Sequence, residues 1–269
     1  MENARLVDVT KDNLAEFPCC GIKNSAHEGH RQKTGWIKTH LDKGLRIKFM
    51  VDGKGVPFGY IEYLPGECAW RGIEASRYLF IHCLWIFVKK YQGKGHASRL
   101  IRAAVDEAKK TGVRGVAAMA RQGPWLAAAG IYLKNGFEVV DTAPPDYLLM
   151  ALRFKKTSPK PGFKRDWGAK LKAFGPGLTL IYTAQCPHIA KFAADIAETA
   201  EKTYRLKPSL IELKTYRDAQ NAPTPYAVFA VIYDGRLLAD HPISRIRFKN
   251  IMKGILDAPK AKKLALRRG

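Results

Sequence analysis

The feature that most constrains the fold is a run of ten residues, 79–88 (LFIHCLWIFV), apolar at every position except His82. It is too short to cross a bilayer, which takes ~20 residues. It also lacks the alternation of a strand with one wet face, so it predicts a central strand buried on both sides. The run leads directly into Lys89-Lys90-Tyr91-Gln92-Gly93-Lys94-Gly95-His96-Ala97. Next, Ala97, Leu100, Ile101, Ala104, Val105 and Ala108 recur at intervals of three and four, which is the single apolar stripe of an amphipathic helix. A buried strand, a Gly-rich turn and a helix start together predict an anion cradle. Amides at a helix start lack helical acceptors, and the helix dipole favours negative charge there. Glycines let a ligand approach the backbone closely, and Lys89, Lys90 and Lys94 add positive charge. A purely structural turn is the other reading of the same residues.

The flanking sequence predicts a mixed α/β (α+β) sheet. Leu45, Ile47, Phe49 and Val51 alternate with Arg46, Lys48 and Met50, and the turn 52–55 leads to a second strand at 56–64. A strand at 115–120, a helix at 124–134 ending at Asn135-Gly136, and strands at 137–140 and 147–154 complete the first domain, 1–155. Residues 156–176 are rich in Lys, Gly and Pro and read as an exposed basic linker. The second domain, 177–257, repeats strand and helix. A strand at 178–183 precedes a helix opened by Cys186-Pro187, with Ile189, Phe192, Ala193, Ile196, Ala197 and Ala200 on one stripe. A strand at 210–213, a hairpin of 226–233 and 236–239 about Asp234-Gly235, and a helix at 247–255 follow. Residues 258–269 read as a mobile basic tail.

Charge narrows the partners. The chain has 46 Lys+Arg against 24 Asp+Glu, and residues 151–269 alone carry 24 basic against 9 acidic side chains. Such a field attracts anions, whether nucleic acid or a phosphorylated cofactor. No nucleic-acid-binding motif accompanies it, so a solvated basic surface is the favoured reading. With neither an apolar export core nor a run of ~18 apolar residues, the expectation is a cytoplasmic protein with no membrane association. The five cysteines, at 19, 20, 68, 83 and 186, are odd in number and irregular in spacing, unlike a disulfide framework. Cys19-Cys20 with His27 and His30 does not match a zinc spacing, and no metal is expected.

Two motifs bear on chemistry. Gln92-Gly93-Lys94-Gly95-His96-Ala97 gives Gln-x-x-Gly-x-Ala after a hydrophobic strand, and Tyr132-Leu133-Lys134-Asn135-Gly136-Phe137 gives Tyr-x-x-x-Gly-Phe farther on. With these motifs and this element order, residues 1–155 resemble the GNAT superfamily of N-acetyltransferases, although Lys89 stands where the family often has Pro. The resemblance implies acetyl-CoA as co-substrate. Its diphosphate would rest on Gln92, Gly93, Lys94, Gly95, His96, Ala97 and Ser98, and its pantetheine arm would run beside Trp85, Ile86, Phe87 and Val88. An N–H near Phe87 or Val88 would polarise the thioester. The acceptor would be a small-molecule or peptide amine attacking directly, and Tyr132 holds the position of the acid that protonates the leaving thiolate. The amine must be neutral to attack, and a Lys-like ammonium has pKa ~10.4. Glu62 and His82 are the candidate bases, and a water chain is the alternative to both. Cys83, next to His82, has a nucleophile's chemistry, but the resemblance implies direct transfer.

In the second domain, Ala184-Gln185-Cys186-Pro187-His188-Ile189 and Thr224-Pro225 are similar to the C-terminal domain of YoaP-like GNAT proteins and, more loosely, to thioredoxin or glutaredoxin folds. That likeness implies a thioredoxin-like βαβ-ββα domain with a cis-proline at Thr224-Pro225 facing Cys186. A thiol at a helix start has a lowered pKa, so Cys186 is a candidate reactive thiol. Ile189 stands where a dithiol motif needs its second cysteine, which leaves monothiol chemistry, capture or packing. The rival readings to acetyl transfer are thus a CoA-sensing or polyanion-binding module and thiol chemistry at Cys186.

Overall fold

The computed structural model describes residues 4–265, those after Asp257 by backbone alone. One sheet has seven strands in the order β1 (Arg5–Asp8), β2 (Arg46–Val51), β3 (Pro57–Pro65), β5 (Tyr78–Ile86), β6 (Gly115–Ala120), β8 (Tyr147–Arg153), β7 (Glu138–Ala143). All neighbours are antiparallel except β5 and β6. That parallel pair is joined by the crossover helix α2 (His96–Lys110). β5 and β6 are in register only from Tyr78–Gly115 to Ile81–Ala118, and β5 runs on to Ile86 without β6 beside it. The sheet therefore opens into a gap at the end of its central strand.

Alternation sorts the core into two faces. Met50, Ile61, Tyr63, Leu79 and Ile81 face α2 and the short helix α3 (Ala129–Leu133). Ile47, Phe49, Val51, Tyr60 and Phe80 face the other way, onto α1 (Glu28–Leu41) and the C-terminal half of the chain. In that half, β10 (Leu178–Tyr182), α5 (Ile189–Tyr204) and β11 (Ser209–Glu212) make a parallel βαβ unit. α6 (Tyr216–Gln220), the hairpin β12 (Ala230–Tyr233) and β13 (Arg236–Ala239), and α7 (Arg245–Ala265) complete it. Its sheet order is β11-β10-β12-β13. The tail expected at 258–269 has helical backbone to Ala265, and the rest lies outside the described residues.

Several elements differ from expectation, for tertiary reasons. Helix 124–134 shrinks to α3, because Trp125 sits at φ +78 with its indole Nε1 donating to the Pro242 carbonyl (3.0 Å) and its ring edge-on to Phe192. The segment read as an exposed linker holds β9 (Gly162–Phe163), which pairs with β4 (Ile73–Glu74), and α4 (Trp167–Lys172). Phe163 is buried there, an anchor that the surrounding Lys, Gly and Pro conceal. α5 begins after Cys186-Pro187, which occupy the preceding turn, with Ile189 N–H donating to the Cys186 carbonyl (3.2 Å). Thr224–Pro225 is not cis. Among the described residues the cis peptide is Pro144–Pro145. A local turn holds Thr224, whose Oγ1 accepts the Ala227 N–H (3.0 Å), while the Pro225 carbonyl accepts the Gly72 N–H (3.1 Å).

Candidate active site

The Gly-rich turn forms as the sequence predicts. A short 3-10 turn, Lys89–Tyr91, ends β5, and Tyr91 stacks on Phe58 and donates to Asp52 Oδ2 (3.1 Å). The Gln92 side chain donates to the Ile86 carbonyl (2.8 Å). Gly93 and Gly95 lie at φ +74 and +82, a region costly for other residues. A Cβ on either would meet no atom within 4 Å, so packing does not demand these glycines, and the space beside them is open. The first helical bond runs from Arg99 N–H to the Gly95 carbonyl (3.1 Å), which leaves the Ala97 and Ser98 amides without an acceptor inside the helix. These features fit a diphosphate. The Ser98 side chain is turned away from this opening: its buried Oγ accepts from Asn135 Nδ2 (3.0 Å), which leaves only its main chain to fit such a ligand.

Next to this turn, the N–H groups of Phe87 and Val88 both donate to the Phe58 carbonyl (3.0 and 3.3 Å). The expectation that one of them faces a thioester is therefore corrected: β3 already occupies both. Main-chain direction alternates along a strand, so Leu84 and Ile86 turn their amides to the open side, where the Ile86 carbonyl meets Gln92.

The gap leads into a cavity of about 490 Å3, in the size range of small-molecule sites. Trp85 lines it, as do Tyr132 from α3 and Glu62 and His82 from the paired strands. Burial pushes the Tyr132 phenol well above its ordinary range, so it stays protonated. Glu62 is 1% exposed and accepts from Lys33 Nζ (2.5 Å) and Gln185 Nε2 (2.9 Å). Burial works to raise its pKa, but Lys33 and His82 outweigh it and hold the carboxyl at about 2. His82 is pulled down to about 4, chiefly by burial. Its Nε2 accepts the Trp70 N–H (3.0 Å), and its Nδ1, 3.7 Å from Glu62 Oε1, lacks a hydrogen-bond partner among the described residues. With the ring neutral, that contact is not an ion pair. Neither expected base is thus set up as a strong one: Glu62 is held ionised by Lys33, and the Nε2 lone pair of His82 is engaged.

The C-terminal half closes the cavity with Gln185, Cys186, His188, Phe192 and Tyr226. Cys20 Sγ lies 2.5 Å from Tyr60 Oη, Tyr60 Oη lies 2.8 Å from Cys83 Sγ, and Cys20 is within hydrogen-bonding reach of both Cys83 and Cys186. The hydrogen bond with Cys20 lowers the Cys186 pKa against its burial. Cys20, Cys83 and Cys186 thus all line this cavity. Among the described residues no group of His, Cys, Asp or Glu is arranged to hold a metal ion.

Family models match an acetyltransferase (GNAT) domain over residues 48–139 and a YoaP-like domain over residues 209–250. The uncharacterized N-acetyltransferase YoaP of Bacillus subtilis (strain 168) is 31% identical over 251 residues, covering 91% of this chain and 97% of that protein. The chain belongs to the YoaP family of GNAT acetyltransferases. Solved structures similar to this YoaP-family chain include Escherichia coli YhbS in complex with CoA, at 13% identity and TM-score 0.41, covering 61% of this chain and 91% of that one. Another is a Brucella melitensis GNAT acetyltransferase in complex with acetyl-CoA, at 15% identity and TM-score 0.39, covering 60% and 94%.

Sequence reasoning missed Lys33, Tyr60, Arg71, Gln185 and Tyr226 in this YoaP-family site. Lys33 had a signal: Gly29, His30, Lys33, Trp36, Ile37 and His40 follow helical spacing and are the buried face of α1. Three of them are polar, which hides the stripe from a hydrophobicity count. Arg71 had none, because it lies in an irregular segment.

Proposed function

We propose that the chain transfers the acetyl group of acetyl-CoA directly to an amine, with residues 1–155 holding the thioester, 156–176 as connector and 177–257 walling the acceptor side. The observation that carries this reading is the open Gly93–Gly95 turn at the start of α2, beside a gap in the sheet that leads to the Tyr132-lined cavity. Acetyl-CoA, when bound, supplies an acyl carbon open to attack by nitrogen. Amides from Gly93 to Ala97 hold the diphosphate, with Lys94 adding charge, whereas the expected Gln92 N–H is already spent on the Lys89 carbonyl (3.0 Å). The Ile86 or Leu84 amide, on the free side of β5, stabilises the oxyanion. As the C–N bond forms, the amine nitrogen becomes acidic enough for a weak acceptor, so a water at Glu62 suffices to remove its proton. As the C–S bond breaks, Tyr132 protonates the sulfur.

The test is CoASH release by the purified protein across a panel of amines, with CoA affinity measured in parallel. Tyr132→Phe should lower turnover by about 100-fold or more with CoA affinity kept. Gly95→Glu should abolish CoA binding, because a carboxylate enters the cradle at a strained φ. Release by no amine, or normal CoA affinity in Gly95→Glu, would overturn the reading.

A further inference from the structure

The cavity holds a charge that this chemistry leaves unused. Arg71 is 3% exposed and lines the cavity. Its Nη1 donates to the Trp70 carbonyl (2.7 Å) and reaches Gln185 Oε1 only at 3.5 Å, the outer limit of a hydrogen bond. Its guanidinium carbon lies 4.8 Å from the centre of the Tyr226 ring, and its buried Nε has no hydrogen-bond partner among the described residues. Among those residues it also forms no ion pair, whereas the other cation that lines the cavity, Lys33, is matched by Glu62 at 2.5 Å. A guanidinium removed from water without a counter-charge is costly, and a planar fork with spare donors is matched by a carboxylate.

With Lys33 and Glu62 cancelling and His82 neutral, Arg71 gives the cavity wall a positive charge that is opposed there only by the Cys186 thiol, whose pKa Cys20 lowers first and Arg71 in smaller part. A polycationic acceptor would meet repulsion there. An acceptor with one amine and one carboxylate would bring the missing counter-ion. The same positive field lowers the pKa of an ammonium beside it, which offsets the want of a strong base. We propose that Arg71 binds the carboxylate of the acceptor, and that the acceptor is a small amine carrying a carboxylate, an amino acid or a close derivative. This rests on the acetyl-transfer reading, for which it names the substrate class.

The experiment compares amino acids with their own carboxamides as acceptors, reading CoASH release by the full chain. The acids should exceed the amides by about 100-fold in kcat/KM, the scale set by leaving a buried charge unpaired. Arg71→Gln and Arg71→Lys should each remove most of that advantage through KM, with CoA affinity kept and a loss with acids far larger than any change with amides. Equal use of acids and amides by the wild-type protein would overturn the proposal and leave acetyl transfer standing. So would a loss in the Arg71 variants that falls equally on both acceptor types, because that marks a purely structural arginine. If no amine is acetylated, acetyl transfer itself fails, and thermal melting in the presence of CoA still reads Arg71. Amino acids should then raise the melting temperature of the wild-type protein but not of Arg71→Gln, and amides should raise neither. No difference between acids and amides would sink the Arg71 site as well.

Discussion

Glu62 and His82 sit 3.7 Å apart in one buried patch, and both make the protein sensitive to acid. Burial holds His82 at about 4, below the ~6.5 of a free imidazole. The unfolded chain therefore takes up that proton first as pH falls. The stability His82 contributes is complete above ~6.5 and is lost as pH drops through about 4. Glu62, held at about 2 against its burial by Lys33 and His82, loses its contribution lower still, below the ordinary ~4.3. Urea unfolding should thus show stability falling by about 3 kcal/mol between pH 7 and pH 4, mostly through His82. His82→Gln, which keeps an acceptor for the Trp70 N–H, should flatten that slope, and an unchanged slope would assign it elsewhere. Strand patterning and the motifs brought Glu62, His82 and Tyr132 to notice, and all three reach the cavity. Their protonation depends on Lys33 and on burial, neither of which is written next to them in sequence.

Contiguous signals made elements legible. The apolar run, the glycines and the stripe of α2 are consecutive in the chain, so strand, turn and helix could be read directly. α1 escaped because its buried face carries His30, Lys33 and His40, and α3 came out short because Trp125 is held by Pro242 and Phe192, far away in sequence. α1 also carries a sharp internal contrast. A Cβ on Gly29 would lie 1.9 Å from the Pro187 carbonyl oxygen, whereas one on Gly35 would meet nothing within 4 Å. Alanine favours a helix over glycine by up to ~1 kcal/mol. Gly35→Ala should therefore stabilise the protein by up to about that amount, while Gly29→Ala should destabilise it by about 1–3 kcal/mol through overpacking. Denaturant midpoints of the two variants test this, and a stable Gly29→Ala would mean that α1 and the turn before α5 are not in close contact.

At the scale of the whole molecule, one apolar core runs from Val9 and Trp36 through the seven-stranded sheet to Phe229 and Phe248. Polar contacts cross the same boundary: Gln220 donates to the Glu67 and Ala69 carbonyls (2.9 and 3.1 Å), and Gln185 reaches Glu62. Unfolding should therefore be a single transition. All five tryptophans precede residue 177, with Trp125 packed on Phe192 of the second half, so their fluorescence follows the first part of the chain and its contact with the second, while far-UV circular dichroism follows all of it. The two curves should coincide, and separate midpoints would show halves that melt independently. Sequence patterning found both sheets because each is locally encoded. It could not find their shared interior, which depends on side chains more than a hundred positions apart, such as Gln185 and Glu62.

That shared interior has an evolutionary consequence. The lining near Gln185, Cys186 and Tyr226 comes from a stretch of gene remote from the one that encodes the turn at Gly93–Gly95. Codon changes in the later stretch can reshape the chamber's lining while the earlier one stays as it was. Descendants of one ancestor could in this way diverge in what they admit without rebuilding the other end of the pocket.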